Sequence, residues 1–408
     1  MSPTQRDRTG LGHAHWLRVA RETADDLATD AVPREQAGKV PLDEVSRLRE
    51  AGLLTLLVPS ASETGGADWP TACAVVREVA AADAAIGQLL GSHYFLSWSA
   101  GFLAGHARAA RLERRHTAEQ WCWGGGLAPQ EPPLTLTGKR GGHVLDGRQS
   151  YLAGVLVADR LAVRAVRAGT GEPVAVVVDP ARPGVRVEGD ADGFGQRLAA
   201  GGSVEFDAVA VDTDDVLGSL SADEDVLSPR AALLSPVGRL TSVHLRLGTA
   251  EGVLAEVREY SRPGHFPSHP AGHVDSPLDP RTSPPDPPTL TVYGELTVLV
   301  RSASALADQA VHAVHDGLAR GEDLSYDECA DIAVLVAMAD AAAARAAEEA
   351  TSRAFDILGA RSASSRLGFD RFWRNARTHA VHEPAARRLR DVGDYFLNGA
   401  HPPFTLPA

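Results

Sequence analysis

Apolar positions recur at two different periods along this chain, and the change of period divides it into three regions. From Thr71 to Leu90, Val75, Val79, Ala82, Ile86 and Leu89 return at steps of three or four, which puts one apolar stripe on a helix. Leu42 to Ala51 predicts a shorter helix with Gly52 as its C-terminal cap, and PSASETGGADWP reads as the loop between the two. Residues 1–117 are thus expected to form a helical domain. From about Trp121 the period falls towards two. HVLDG, RLAVRAV, PVAVVVDP, VRVEG and SVEFDAVAV predict strands across a β-domain over 118–222, punctuated by glycine, proline and aspartate.

Residues 223–408 turn helical again and rich in alanine. Helices are expected over Arg239–Tyr260, Val292–Leu318, Asp327–Leu358 and Asp370–Leu397. Between the first two, residues 262–289 carry enough proline and glycine to exclude regular structure, which predicts a surface loop. No internal repeat is present. The expected fold class is α+β: helices, then a β-barrel or sandwich, then a four-helix bundle.

Composition narrows the setting. With 408 residues, 44% of them hydrophobic, two or three packed units with a substantial core are expected. No run approaches the roughly 18 apolar residues of a membrane span. The opening MSPTQRDRTGLGHAHW lacks the apolar core of a secretory signal. Three scattered cysteines fit a reducing cytoplasm and argue against both a disulfide framework and a thiolate metal site. The formal charge of −13 disfavours nucleic acid as a partner.

Longer motifs carry a resemblance. DGFGQRLAAGGSVEFDAVAVDTDDVLG resembles the end of the β-domain of the acyl-CoA dehydrogenase superfamily. LGARSASSRLGFDRFWRNARTHAVHEPAARRLRDVGDYFLNG and GADWPTACAVVREVAAADAAIGQLLGSHY resemble its dibenzothiophene monooxygenase branch. The similarity runs from about Trp16 through nearly the whole chain and is weakest across the proline-rich loop. Counting then removes one activity. In dehydrogenases a catalytic glutamate lies between the flanks that match Leu358-Gly359 and Arg374-Asn375-Ala376-Arg377, and Arg366 occupies its place here. A guanidinium cannot act as a base at a thioester's α-carbon. SVHLRLG, the other place where relatives put the base, offers no carboxylate either.

The resemblance implies a two-component flavin monooxygenase. Such an enzyme takes reduced flavin from a separate reductase, activates O2 as a C4a-peroxide, and oxygenates a small apolar or aromatic substrate at sulfur, nitrogen or carbon. It also implies a homotetramer with flavin between subunits. No nicotinamide fingerprint is present, in keeping with a separate reductase. By motif, His93 and His382 are the catalytic candidates beside the flavin, and His379 lies three residues before His382 on one side of a helix. A His-x-x-His pair without a third ligand is a poor metal site, so no metal is expected. Tyr94 is a candidate for the substrate pocket, and Tyr151 for packing against the ring.

Arg361 stands in the turn that dehydrogenases keep open for a dinucleotide, with Ser362 beside it. A fixed guanidinium fork there suits a terminal phosphate, which favours FMN over FAD. Arg262 is a second basic candidate. Two positions depart from the branch: Gly125 stands where relatives carry asparagine, and Ala153 where they carry a hydroxyl. Backbone N–H groups of the glycines are the expected substitutes. Two other readings stay open: a flavin oxidase or dehydrogenase acting on a non-thioester, and a non-redox catalyst or binding protein.

Overall fold

The computed structural model describes residues 3–58, 66–190, 193–223, 227–261, 287–382 and 385–406. Helices come first: α1 (Pro3–Ala28), α2 (Ala31–Ala37), α3 (Leu42–Glu50), α4 (Trp69–Ala82), α5 (Ala84–Leu103) and α6 (His106–Glu119). The helix expected over Thr71–Leu90 is therefore two helices, and Asp83 divides them. Its carboxylate accepts from the backbone N–H groups of Ala85 and Ile86 at 3.0 and 3.2 Å, which caps α5. The same carboxylate accepts from Arg34 at 2.8 Å, and Arg34 lies 3.3 Å from Glu44. This buried ion group ties α2, α3 and the start of α5 together. Gly52, at φ +73°, follows α3 where the cap was expected.

Eight strands follow: β1 (Trp123–Gly126), β2 (Leu134–Lys139), β3 (Gly142–Leu152), β4 (Arg160–Arg167), β5 (Pro173–Val178), β6 (Val185–Gly189), β7 (Gly202–Val211) and β8 (Val216–Ser219). They form one mixed sheet in the order β6-β7-β3-β2-β4-β5-β8, with β1 pairing parallel to β4. Alternation explains the inward side: Leu134 and Leu136 of β2 are buried while the threonines after them face out. The strand β1, with the sequence WGGG, is too short and too poor in side chains to show such a pattern. The register of β3 against β7 slips between Gln149 and Leu152, a bulge at Ser150 and Tyr151 before pairing resumes at Leu152 and Gly202.

The last region holds α7 (Pro229–Ala232), α8 (Leu234–Ser261), α9 (Pro287–Arg320), α10 (Tyr326–Leu358), α11 (Asp370–His382) and α12 (Ala385–Asn398). Two expectations change. The helix α9 begins inside the segment read as loop, because proline is tolerated in a first helical turn. The single helix expected over Asp370–Leu397 is α11 and α12, with Pro384 in the interval, where a helical N–H would be missing. The helix α8 is buried on nearly every side, as the centre of a bundle requires. Arg246 of α8 and Arg388 of α12 both pair with the buried Asp340 of α10, so one carboxylate joins three helices. The first and third regions share one core, in which Val76 and Val79 pack in the same cluster as Val243 and Leu247.

Candidate active site

Where α5, α8, α11 and the sheet converge, the protein leaves a cavity of about 1450 Å³. Each wall follows from an element already described. Along α5, Gln88, Ser92 and Phe95 return at helical spacing on one face, and Thr241, Ser242 and Leu245 of α8 line the cavity as well. The sheet contributes Gly125 and Gly126 of β1 and Tyr151 beside the slipped register of β3. Thr378 and His379 come from α11, and residues 193–197 close a further side.

That closing loop is held by α11. The Gln196 N–H donates to Asn375 Oδ1 at 2.7 Å, and Arg374 donates to the Phe194 carbonyl at 3.1 Å. Arg374 also pairs with the buried Glu35 of α2 at 2.5 Å. Phe194 meets Trp373 edge to face, with ring centroids 5.5 Å apart. One helix therefore supplies both a cavity-lining imidazole and the anchors of the loop opposite.

Three of the residues that line the cavity carry a polar atom with nothing to bond. Gln88 Oε1, Gln196 Oε1 and Thr378 Oγ1 are buried and have no hydrogen-bond partner among the described residues. A buried polar atom left unpaired costs about 1–3 kcal/mol, so a site with three of them is built for a ligand or water that supplies the partners. A flavin ring fits this demand, since its pyrimidine edge carries both donors and acceptors and its body is flat and apolar.

The expected site residues separate into distinct groups. His379, Tyr151 and Gly125 line the cavity. Tyr151 is 75% exposed and adopts φ +58°, an unfavourable conformation for an aromatic residue, and such strain concentrates at functional sites. Gly125 has a specific reason to be glycine: at φ +119°, a Cβ would lie 2.3 Å from the Ala162 carbonyl oxygen. Its N–H is not free for a ligand, because it donates to the Ala153 carbonyl at 3.0 Å. The expected backbone substitute is thus withdrawn at that residue.

His93, Tyr94 and Ser362 are not on the cavity walls. His93 is fully buried: Nε2–H donates to the Leu54 carbonyl at 2.7 Å, and Nδ1 accepts from the Trp123 N–H at 3.0 Å. Both nitrogens are used, and burial lowers its pKa to about 3, helped by the neighbouring His116. The placement beside the flavin expected for His93 is corrected to a structural one. Tyr94 is buried one residue further round α5, and its hydroxyl has no partner among the described residues. The Ser362 hydroxyl donates to the Gly359 carbonyl at 2.6 Å inside its own turn, which leaves it no donor for a phosphate. Arg262 and the side chains of Arg361 and His382 lie outside the described residues.

Sequence reading passed over Gln88, Ser92, Gln196 and Thr378. A signal existed for the first two, because they are polar residues four apart inside the apolar run AAIGQLLGSHYFL. Gln196 and Thr378 had none, since only the fold brings the loop against α11.

Comparison with known proteins agrees with this geometry. Residues 13–106 match the acyl-CoA dehydrogenase N-terminal domain, and residues 290–383 match the C-terminal domain. The chain is 34% identical over 399 residues to the dibenzothiophene monooxygenase of Rhodococcus erythropolis, covering 95% of this chain and 94% of the relative. It is 32% identical over 395 residues to the "Probable FMNH2-dependent monooxygenase SfnC" of Pseudomonas putida, covering 95% of each. The FMN-bound dibenzothiophene monooxygenase TdsC of Paenibacillus superposes with a TM-score of 0.86 at 33% identity, covering 96% of this chain and all of that one. The chain belongs to the acyl-CoA dehydrogenase family, in its branch of FMN-using flavin-dependent monooxygenases related to dibenzothiophene monooxygenase.

Proposed function

We propose that this enzyme oxygenates the sulfur of a flat aromatic thioether, using reduced FMN delivered by a separate reductase. The observation that carries the reading is the cavity itself, whose lining combines Gln88, Gln196 and Thr378, each with a buried unpaired oxygen, with the apolar side chains of Phe95, Leu127, Leu156 and Leu245. The polar atoms suit a flavin edge and the apolar walls suit an aromatic ring. The dibenzothiophene monooxygenases support that substrate class. Methanesulfinate monooxygenase of Pseudomonas fluorescens, at 29% identity and a TM-score of 0.85, also acts on a sulfur compound by name, but the apolar walls favour the aromatic ring.

When bound, reduced FMN supplies two electrons so that one atom of O2 joins sulfur and the other leaves as water. The remaining work belongs to the chain. Gln196 and Thr378 offer their unpaired oxygens to the flavin's polar edge, and Tyr151 packs its ring from the cavity wall. His379 holds a proton donor beside the site of oxygen chemistry, with His382 assigned to the same task on the next turn of α11. Arg361 and Arg262 are assigned to the FMN phosphate. The apolar walls keep water away from the reacting atoms, which suppresses loss of hydrogen peroxide.

Two features of the surroundings belong to this reading. Phe396 and Leu397 of α12 are 91% and 78% exposed, an apolar face suited to subunit contact in a homotetramer. No described helix is long and apolar enough to cross a membrane, and we assign the enzyme to the cytoplasm. The test is anaerobic reduction of FMN, then mixing with the protein, O2 and dibenzothiophene. Sulfoxide formed in proportion to FMN oxidised supports the proposal. Hydrogen peroxide as the sole product, with every aromatic thioether tried, favours the oxidase reading.

A further inference from the structure

The segment after α12 reaches the wall of the cavity at Leu406. After α12, Gly399 donates its N–H to the Tyr395 carbonyl at 2.9 Å, and residues 399–406 then run without helix or strand as a strap across the bundle. Pro402 is buried, and it and the exposed Pro403 line a small crevice together with Pro236 and Ala337; their rings limit the strap's backbone freedom. Phe404 is buried in a small cluster with Leu233, Leu324 and Cys329. The Thr405 carbonyl accepts from Ser235 Oγ at 2.6 Å and from Arg239 Nη2 at 3.5 Å. Leu406 is 8% exposed, packs in one cluster with Leu96 and Leu127, and stands in the wall of the cavity.

These contacts share a frame. Ser235 and Arg239 are four apart on α8, and Gly238 between them is itself a cavity wall. A Cβ on Gly238 would approach the Phe95 ring to 3.1 Å, so the absent side chain lets Phe95 lie directly against α8. The strap, the start of α8 and the Phe95 face of α5 are thereby fixed relative to one another. Leu96, Leu127 and Leu406 offer no polar group, so a ligand can be selected at this end only by length and shape.

We propose that Leu406 is a specificity-determining residue, and that the strap sets how long an aromatic ring system the cavity accepts. This rests on the reading of the cavity as the FMN and aromatic-substrate site. Pockets that select by one or two methylenes discriminate by about tenfold to a few hundredfold. Leu406→Trp should therefore weaken a three-ring thioether about tenfold or more relative to a two-ring one. Leu406→Ala should shift the preference the other way, and Leu406→Met should stay near wild type.

The test uses the full chain with oxidised FMN bound and measures equilibrium binding of benzothiophene and dibenzothiophene, then KM and kcat for both under turnover. The expected result is a changed ratio of the two affinities and of the two KM values, with FMN affinity and kcat within about twofold of wild type. A ratio unchanged in both Leu406→Ala and Leu406→Trp overturns the proposal. So does a uniform loss for both ligands together with weakened FMN, which would make the strap merely structural. If Leu406→Trp fails to fold, the Ala and Met variants decide the matter. Binding that discriminates as expected without any oxygenation would sink the monooxygenase reading and leave the strap's role standing; thioethers that do not bind the wild type at all would overturn both.

Discussion

Two regions of this molecule employ histidine in opposite ways, and their surroundings explain why. In the first, His93 and His116 both donate through Nε2 to the one carbonyl of Leu54, at 2.7 and 3.0 Å. Through Nδ1, His93 accepts the backbone N–H of Trp123 and His116 accepts its indole N–H, at 3.0 and 3.4 Å. Every ring nitrogen is committed, and the pair fastens the turn after α3 to the first strand of the sheet. In the second region, His379 of α11 is one of the residues that line the cavity. The first pair is closed within the protein, whereas His379 stands in the cavity wall, where we propose a chemical role for it. Position in a motif does not distinguish the two; placement relative to the cavity does.

The largest effect separating the regions should come from His93→Ala. It leaves a hole and strips partners from Leu54 and Trp123, for a loss of about 3–5 kcal/mol in urea unfolding. A loss below about 1 kcal/mol would mean that the knot is not structural.

Acid should dissect the same region. Burial lowers the pKa of His93 to about 3 and of His116 to about 4, below the value near 6.5 of an unfolded chain. The unfolded state then takes up protons first, so this contribution to stability is complete above pH ~6.5 and is lost as pH falls towards about 4. Two such groups give a slope of up to about 2.7 kcal/mol per pH unit near pH 5. In His116→Gln, the slope of unfolding free energy against pH should fall by roughly half that amount. An unchanged slope would show that the ring is already charged or exposed.

His379→Ala should do the reverse of His93→Ala. Stability should stay within about 1 kcal/mol, while sulfoxide formed per FMN oxidised falls roughly tenfold to a hundredfold and hydrogen peroxide takes its place. Coupling at the wild-type level would move His379 out of the chemistry. The smallest effect is expected for Tyr151→Asn. Asparagine tolerates the backbone at φ +58°, so unfolding should show a gain of up to about 1 kcal/mol, accompanied by weaker FMN binding in a fluorescence titration. A loss of stability there would place the tyrosine ring in the packing rather than in the site.

The same contrast measures how much the sequence revealed. The order of helices, sheet and bundle was legible because it depends on apolar period, a local property that survives without coordinates. The division at Asp83 was not, because the stripe from Val75 to Leu89 continues across a residue whose role depends on Arg34, distant in sequence. Of the residues named through the resemblance, His379, Tyr151 and Gly125 line the cavity and His93 does not. The motif SHYF locates a histidine on α5 but not the side of the helix it faces, and Gln88 and Ser92 occupy the cavity side instead. Gln196, Thr378 and the strap bearing Leu406 depend on contacts between segments that no local pattern joins.

We propose that the cavity bounded by β1, α5, α8 and α11 turns reduced FMN and O2 into a sulfur oxygenation. The most direct test is a single turnover with reduced FMN, dibenzothiophene and 18O2, analysing the product by mass spectrometry and the released peroxide by assay. The expected product is a sulfoxide carrying one 18O atom, formed nearly one for one with FMN oxidised by the wild type and largely replaced by peroxide in His379→Ala. FMN reoxidised at the rate of free flavin, with all oxidising equivalents recovered as hydrogen peroxide and no labelled sulfoxide, would contradict it.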